Sequence, residues 1–280
     1  MPAPIFVIGD VQGCFNALKK LVAQIDNHCQ IHNLGLPELW LVGDLVNRGP
    51  DSLSVLRWCL ANKHRLTVVL GNHDLHLLAV VAGIRKTRSD DTLNGILNAP
   101  DSEQLLWWLR QQPLARMRRG WLMVHAGLLP QWTAQHAIEL SNEVSQCLRA
   151  DGWKQFLKGM YGNEPARWSA GLRGEARTRA IINGLTRLRF CSENGDMEFA
   201  SKEGAAQAPA GFAPWFTLAS RQSRHDRIVF GHWSTLGLIS ENLLIATDTG
   251  CVWGGKLTAV QLQTNPEQRL VFEASEASEA

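Results

Sequence analysis

Apolar residues fall along the first quarter of the chain in three short runs, each cut off by a glycine and a polar side chain. Ile5-Phe6-Val7-Ile8 leads into Gly9-Asp10-Val11-Gln12-Gly13, and Leu39-Trp40-Leu41-Val42 into Gly43-Asp44. The third, Leu66-Thr67-Val68-Val69-Leu70, leads into Gly71-Asn72-His73-Asp74. Runs this apolar, rich in β-branched residues and without alternation, mark strands buried on both faces, as in a parallel sheet. After each run the period lengthens to that of a helix. Phe15, Leu18, Leu21, Val22 and Ile25 share one helical face. Asp51 or Ser52 can cap a second helix through about Leu60, and Asn72 or Asp74 a third from Leu75 to Ala82. Strand and helix alternating three times predict a parallel sheet of the α/β class.

Asp101 with Gln104 resembles a capping box, opening a helix through Leu109 that stops before Pro113. Trp121-Leu122-Met123-Val124 reads as a strand ending in His125-Ala126-Gly127, and helical spacing follows from about Thr133 to Leu148. From 151 to 223 the periodicity weakens while Trp, Gly, Pro and Arg accumulate. This stretch is expected to be a cap-like elaboration, at about 150–223, on a single domain spanning 1–272. Strand patterns return at Ile228-Val229-Phe230, ending in Gly231-His232, and at 243–246, 257–262 and 269–272. With no helices between them, these are expected to pair antiparallel or mixed. The Glu/Ala/Ser repeat over 273–280 is expected to fray.

At 280 residues and 45% hydrophobic, the chain has ample material for one large globular domain. A net charge of +2 demands neither nucleic acid nor membrane as a partner, and no apolar run approaches the roughly 20 residues of a membrane span. Six cysteines without a CxxC pair suggest reduced thiols and a cytoplasmic protein. The oligomeric state is left open.

Asp10, Gln12, Asp44, Asn72, His73, His125 and His232 all follow directly on apolar strands. Ligands bind at the carboxyl ends of strands in open α/β sheets, so these residues are expected to converge on one rim. Each alone is more often a loop or cap residue than a ligand. Together, carboxylates, amides and imidazoles make a mixed O/N donor set suited to Mn, Fe, Co or Zn more than to Ca. A carboxylate shared by two ions roughly 3.5–4 Å apart is the arrangement that hydrolyses phosphoesters. Arg48, in the second motif, could clamp phosphoryl oxygens bidentately. His28, His32, His64, His136 and His225 lack this strand-end context, and His76 is expected to be structural.

The ordered set Gly-Asp-x-Gln, Gly-Asp-x-x-Asn-Arg-Gly, Gly-Asn-His-Asp, His-Ala-Gly and Gly-His resembles the calcineurin-like metallophosphoesterases, in their phosphoprotein-phosphatase branch. Within that branch, Leu45-Val46-Asn47-Arg48-Gly49-Pro50, Thr186-Arg187-Leu188-Arg189-Phe190-Cys191 and Thr247-Asp248-Thr249-Gly250-Cys251 resemble the members that split dinucleoside tetraphosphates. The likeness runs from Ile5 to about Leu262. It implies an α/β sandwich of two mixed sheets flanked by helices, with an inserted helical and loop cap. It further implies metal-dependent, symmetrical hydrolysis of diadenosine tetraphosphate and related dinucleotides, or of nucleoside-tetraphosphate caps on RNA, into nucleoside diphosphates.

Two divalent ions would serve, Mn or Co foremost, with Fe, Zn or Ni as alternatives. The resemblance makes Asp10 and Gln12 ligands of the first ion, Asp44 the bridge, and Asn72, His125 and His232 ligands of the second. It makes His73 the general acid and puts Arg48, with Arg187 and Arg189, on the phosphates. Gln12 stands where a His is usual. Asn47 stands where an Asp usually supports the acid histidine, and a neutral amide cannot stabilise an imidazolium as a carboxylate does. That departure weighs against the competing reading of a protein serine/threonine phosphatase. A non-enzymatic nucleotide-binding protein, the other alternative, would need no acid beside a metal pair. Arg173, Arg177 and Arg179 fit either a solvated face or a phosphate groove, and nothing selects Trp153, Trp168 or Trp215 as a platform for a base.

Overall fold

The computed structural model describes residues 3–276, and in it two five-stranded sheets pack face to face. Strands β1 (Ile5–Ile8), β2 (Glu38–Leu41) and β3 (Leu66–Val68) are parallel neighbours, with Ile8 beside Leu41 and Leu41 beside Val68. Helices α1 (Phe15–Ile31) and α2 (Ser52–Ala61) connect them, and α3 (Asn72–Val81) follows. On its other side β1 pairs antiparallel with Leu257–Gln261, which pairs with Val271–Ala274. The second sheet has Trp121–Val124, Arg227–Phe230 and Leu244–Ala246 running parallel, edged by the antiparallel strands Ala115–Arg118 and Ile239–Ser240. The late strands are therefore mixed, as expected.

Ile5, Val7, Trp40, Val42, Val69, Trp121, Met123, Val229, Ile245 and Val260 form the layer between the sheets. The alternate residues Phe6, Ile8, Leu39 and Leu41 turn to the opposite face, into the core beneath the helices. Burial on both faces is why these strands carry no polar alternation. The carboxyl ends of both parallel sets open on one rim, where Asp44 meets His125 and Asp10 meets the backbone of His232.

Asp51 caps α2 by accepting the Ser54 N–H at 3.0 Å. Helix α3 starts at Asn72, three residues before the expected Leu75, and Asp74 Oδ2 accepts the Gly71 N–H at 2.9 Å. Capping and site geometry are thus served by the same turn. Asp101 makes no cap bond, because its carboxylate is held in a bidentate pair with Arg57 at 2.8 and 2.7 Å. The stretch 150–223 carries helices Trp153–Leu157 and Gly174–Arg187 and a three-stranded sheet of its own. The longer helix packs on Ala134–Arg149 and receives the Ala126 N–H on its Leu185 carbonyl at 2.8 Å. The expected fraying does not begin at 273, since Glu273 and Ala274 lie in the last strand. Glu276 accepts the Ala17 N–H at 2.9 Å and so caps α1, which lacks a side-chain cap of its own. Residues 277–280 lie outside the described residues. Among the described residues, no helix is long and apolar enough to cross a membrane.

Candidate metal centre

Asp44, His125 and His232 present ligand atoms that all lie within 4.8 Å of one another, and all three are buried. Both rings are oriented by a backbone carbonyl on the nitrogen that faces away from the cluster. His125 Nδ1–H donates to the Val42 carbonyl at 2.8 Å, so that Nε2, 3.3 Å from Asp44 Oδ2, is the nitrogen turned to the cluster. His232 Nε2–H donates to the Arg187 carbonyl at 3.2 Å, leaving Nδ1 bare. A backbone carbonyl on the far nitrogen is how ligating imidazoles are oriented. One end of the Asn72 carboxamide lies 3.0 Å from both His232 Nδ1 and the Thr186 carbonyl, with the other end 3.3 Å from the His73 N–H. With its oxygen at the first end, Asn72 shares a cation with His232; with its nitrogen there, it donates to both acceptors. The donor set fits a divalent cation of the first transition row.

The charges point the same way. Burial, then Asp248 and Asp44, raise Asp10 well above the ordinary carboxylate range. Burial pushes Asp248 to about 6 and Asp74 to about 7, with Asp44 adding to both. Burial works against a charged His125, yet Asp44 and Asp10 beside it raise it to about 10. Burial, then Arg189 and His125, drive His232 well below its usual value. Carboxylates this crowded and desolvated are the environment that a bound cation relieves.

Two glycines leave the room this packing needs. A Cβ on Gly71 would stand 2.0 Å from Asp44 Oδ1, and one on Gly231 2.1 Å from Asp10 Oδ1. Of the seven non-glycine residues with positive φ among the described residues, five are Gln12, Asp44, Asn47, Arg48 and His232. Such backbone is costly and collects at functional sites.

Two cavities adjoin the cluster. One, of about 650 Å³, is lined by Gln12, Asp44, Arg189, Trp233, Asp248 and Trp253 among others; the second, of about 280 Å³, lies under Met160 and Tyr161. Both are walled by Arg48, Asn72, His73, Arg88 and Arg187. Arg187 is braced by Asn183 at 2.8 Å and Asn163 at 3.1 Å, and its guanidinium lies over the Phe199 ring. Arg189 donates to the His232 carbonyl at 3.2 Å while its Nε is buried without a partner. Arg48 is paired with Asp90 at the cavity rim. Asn47 touches both His73 Nδ1 at 3.2 Å and Asp91 Oδ1 at 2.9 Å.

The model of the calcineurin-like phosphoesterase family matches residues 3–189. The chain is 48% identical over 273 residues to the symmetrical bis(5′-nucleosyl)-tetraphosphatase of Burkholderia thailandensis, covering 98% of this chain and 95% of that one. Its counterpart in Cellvibrio japonicus is 49% identical, covering 96% and 99%. The chain belongs to this tetraphosphatase family of calcineurin-like phosphoesterases. Its fold is similar to that of a candidate diadenosine tetraphosphatase (TM-score 0.60, 23% identity, covering 97% and 94%). It is also similar to that of a protein serine/threonine phosphatase from Saccharomyces cerevisiae (TM-score 0.52, 14% identity, covering 99% and 82%).

Within this phosphoesterase fold, most of the residues expected from the sequence gather at one rim. Asp44, Asn72, His125 and His232 meet directly; Asp10 lies beside them, its carboxylate accepting the His232 N–H at 3.1 Å, and Gln12 lines the larger cavity. Arg173 and Arg179 bind backbone carbonyls and Arg177 pairs with Glu143, so all three are occupied structurally. Trp168 and Trp215 are buried, and the indoles facing the cavity are Trp233 and Trp253, the latter 64% exposed. Asp91 escaped the sequence reading altogether, because it sits in a charged loop with no periodicity. His76, expected to be structural, holds that residue through Nε2 at 2.9 Å.

Proposed function

We propose that the protein hydrolyses diadenosine tetraphosphate and related dinucleoside tetraphosphates symmetrically, giving two nucleoside diphosphates. The observation that carries this reading is the pair of cavities meeting along one wall of Arg48, His73 and Arg187 beside the candidate metal cluster. A substrate with two nucleosides and one polyphosphate bridge matches two cavities and one cationic wall. The name borne by the relatives supports the same substrate.

Asp10 and Gln12 would hold a first divalent ion, Asn72, His125 and His232 a second, with Asp44 between them. We take Mn or Co as the ions, both compatible with a mixed oxygen and nitrogen donor set. When bound, the ions supply activation of water and neutralise charge developing on the phosphoryl oxygens. Arg48, Arg187 and Arg189 bind the bridge; the unpartnered Arg189 Nε is a donor free for a phosphate oxygen. His73, which lines both cavities, serves the departing oxygen. The six cysteines carry no disulfide, which fits a cytoplasmic setting. An RNA end capped through a tetraphosphate offers the same bridge, with the RNA leaving past the exposed Trp253.

Chromatography of early products from diadenosine tetraphosphate, with Mn²⁺ or Co²⁺ supplied, tests this directly. Two ADP per substrate is the expected result. AMP plus ATP, or no cleavage with either ion, overturns it.

A further inference from the structure

Asn47 is fixed in orientation from three sides. Its Oδ1 accepts the backbone N–H of Arg48 at 2.8 Å and of Thr92 at 3.0 Å. Its Nδ2 donates to Asp91 Oδ1 at 2.9 Å and stands 3.2 Å from His73 Nδ1. A primary amide has one acceptor oxygen and two N–H donors. With the oxygen engaged by two backbone donors and one N–H by Asp91, the group facing His73 Nδ1 is the second N–H. Turning the amide over would set its oxygen against a carboxylate and its NH₂ against two N–H groups. Asp91 is itself held in place: its Oδ2 accepts from the Arg88 N–H at 2.8 Å and meets His76 Nε2 at 2.9 Å. His76 Nδ1 in turn meets the Tyr161 hydroxyl at 3.0 Å. Burial opposes ionisation of Asp91, yet the bonds from Arg88, Asn47 and His76 bring it down to about 2.

We propose that Asp91 is a positioning residue: by locking Asn47 it makes His73 accept at Nδ1 and carry its proton on Nε2, which suits the site to phosphoanhydrides rather than alkyl phosphate esters. This rests on the function proposed above. A ring arranged so can hydrogen-bond a departing oxygen, but it is a poor source of a full proton, since a proton added at Nδ1 would point at the Asn47 N–H. A departing nucleoside diphosphate needs no more. The second ionisation of a phosphate lies near pKa ~6, whereas an alcohol resembles water, at about 15.7. In the step, a water oxygen bonds to phosphorus and the bridging P–O bond breaks with its electron pair on the departing phosphate. The water protons pass to solvent and the ring keeps its own. Expulsion of an alkoxide would instead require protonation, which an acceptor facing Nδ1 would sustain. Asn47, at a position where related phosphatases carry a carboxylate, is thereby a determinant of leaving group. The general-acid role expected of His73 narrows to hydrogen-bond donation.

The test compares wild type, Asp91→Asn and the exchange variant Asn47→Asp/Asp91→Asn, all loaded with Mn²⁺, on diadenosine tetraphosphate and on O-phosphoserine. Asp91→Asn is expected to lower kcat on the tetraphosphate roughly 10- to 100-fold with KM little changed, the scale on which a misplaced group tells. In the exchange variant a carboxylate faces Nδ1, and the ratio of phosphoserine to tetraphosphate turnover is expected to rise at least about tenfold. An unchanged ratio, with wild type cleaving the tetraphosphate, overturns this inference alone. A wild type that cleaves phosphoserine but not the tetraphosphate overturns the functional reading and this inference together. Should the variants fail to fold, ¹⁵N NMR of histidine-labelled, zinc-loaded wild type decides, with His73 assigned by its loss in His73→Gln. An unprotonated Nδ1 is expected, and a protonated one overturns the proposal.

Discussion

The backbone N–H of His73 donates to Asp44 Oδ1 over 2.7 Å, joining the turn after β2 to the first turn of α3. One oxygen of the carboxylate is thereby committed to holding the fold. The other, Oδ2, is turned to His125 Nε2 at 3.3 Å and so to the candidate metal cluster. A single side chain fixes the distance between two loops and keeps its remaining oxygen turned to the candidate cluster.

Asp44→Asn separates these duties. The amide oxygen can still accept the His73 N–H, so circular dichroism should show an intact fold. The charge is lost, and with it the several kcal/mol that bound ions contribute to stabilising the reaction's charge. Turnover should fall by at least about 10³-fold, and atomic emission should find the purified variant depleted of metal. Full metal content with near-normal turnover would refute the bridging role.

Arg187→Ala removes a guanidinium already braced by Asn183 and Asn163. A hydrogen bond to a charged group is worth about 1.5–3 kcal/mol, so kcat/KM on diadenosine tetraphosphate should drop roughly 10- to 100-fold. The loss should be much smaller on p-nitrophenyl phosphate, which has no polyphosphate bridge. Equal losses on both substrates would mean that Arg187 supports the fold instead of binding the bridge.

Gly231→Ala places a methyl group 2.1 Å from Asp10 Oδ1 and 2.5 Å from Val42 Cγ2. Neither neighbour can retreat, one being at the metal rim and the other between the sheets. Overpacking of this kind costs about 1–3 kcal/mol, and calorimetry should show the melting temperature lowered by several degrees. An unshifted transition would show that the rim is looser than its packing implies.

The acid limb of stability reports on Asp91. Its carboxyl is held at about 2 in the fold, against an ordinary value of 3.8. A depressed folded-state value means that the stabilisation is complete above the unfolded value and is lost as pH falls from about 4 toward 2. The difference corresponds to about 2 kcal/mol. Urea unfolding of wild type and Asp91→Asn should therefore differ by up to that amount at pH 6 and converge near pH 2. A constant gap across this window would mean that Asp91 contributes through packing and not through its charge.

The rim was legible in the sequence because composition changes abruptly there: an apolar strand gives way to a polar residue, at Asp10, Asp44, Asn72 and His232 with a glycine between and at His125 with none. Other parts were hidden for physical reasons. The helix Gly174–Arg187 is buried continuously from Ala180 to Thr186, so its core half shows a block of small and apolar residues instead of a 3.6-residue stripe. The strand Ala115–Arg118 carries Arg116, Met117 and Arg118 on an exposed edge, a composition that guards edges and disguises strands. Asp91 touches Asn47 from 44 residues away, through a contact that no local pattern announces. Asn47 itself was visible as a departure, but its meaning depended on that distant carboxylate.

The position of β1 has a consequence for how the protein is made. This strand, completed within the first eight residues, lies between β2 and Leu257–Gln261, with Ile8 opposite Ala259. The Thr247 carbonyl fills the space beside Gly9, and Glu276 caps the helix that follows. At 5–20 residues per second, those partners leave the ribosome roughly 12–50 s after the strand they complete. Until then β1 has β2 on one side and an unpaired edge on the other. The sheet that carries Asp10 is therefore completed only after Gln261 has been made, although every candidate ligand, from Asp10 to His232, comes before Leu257 in the chain.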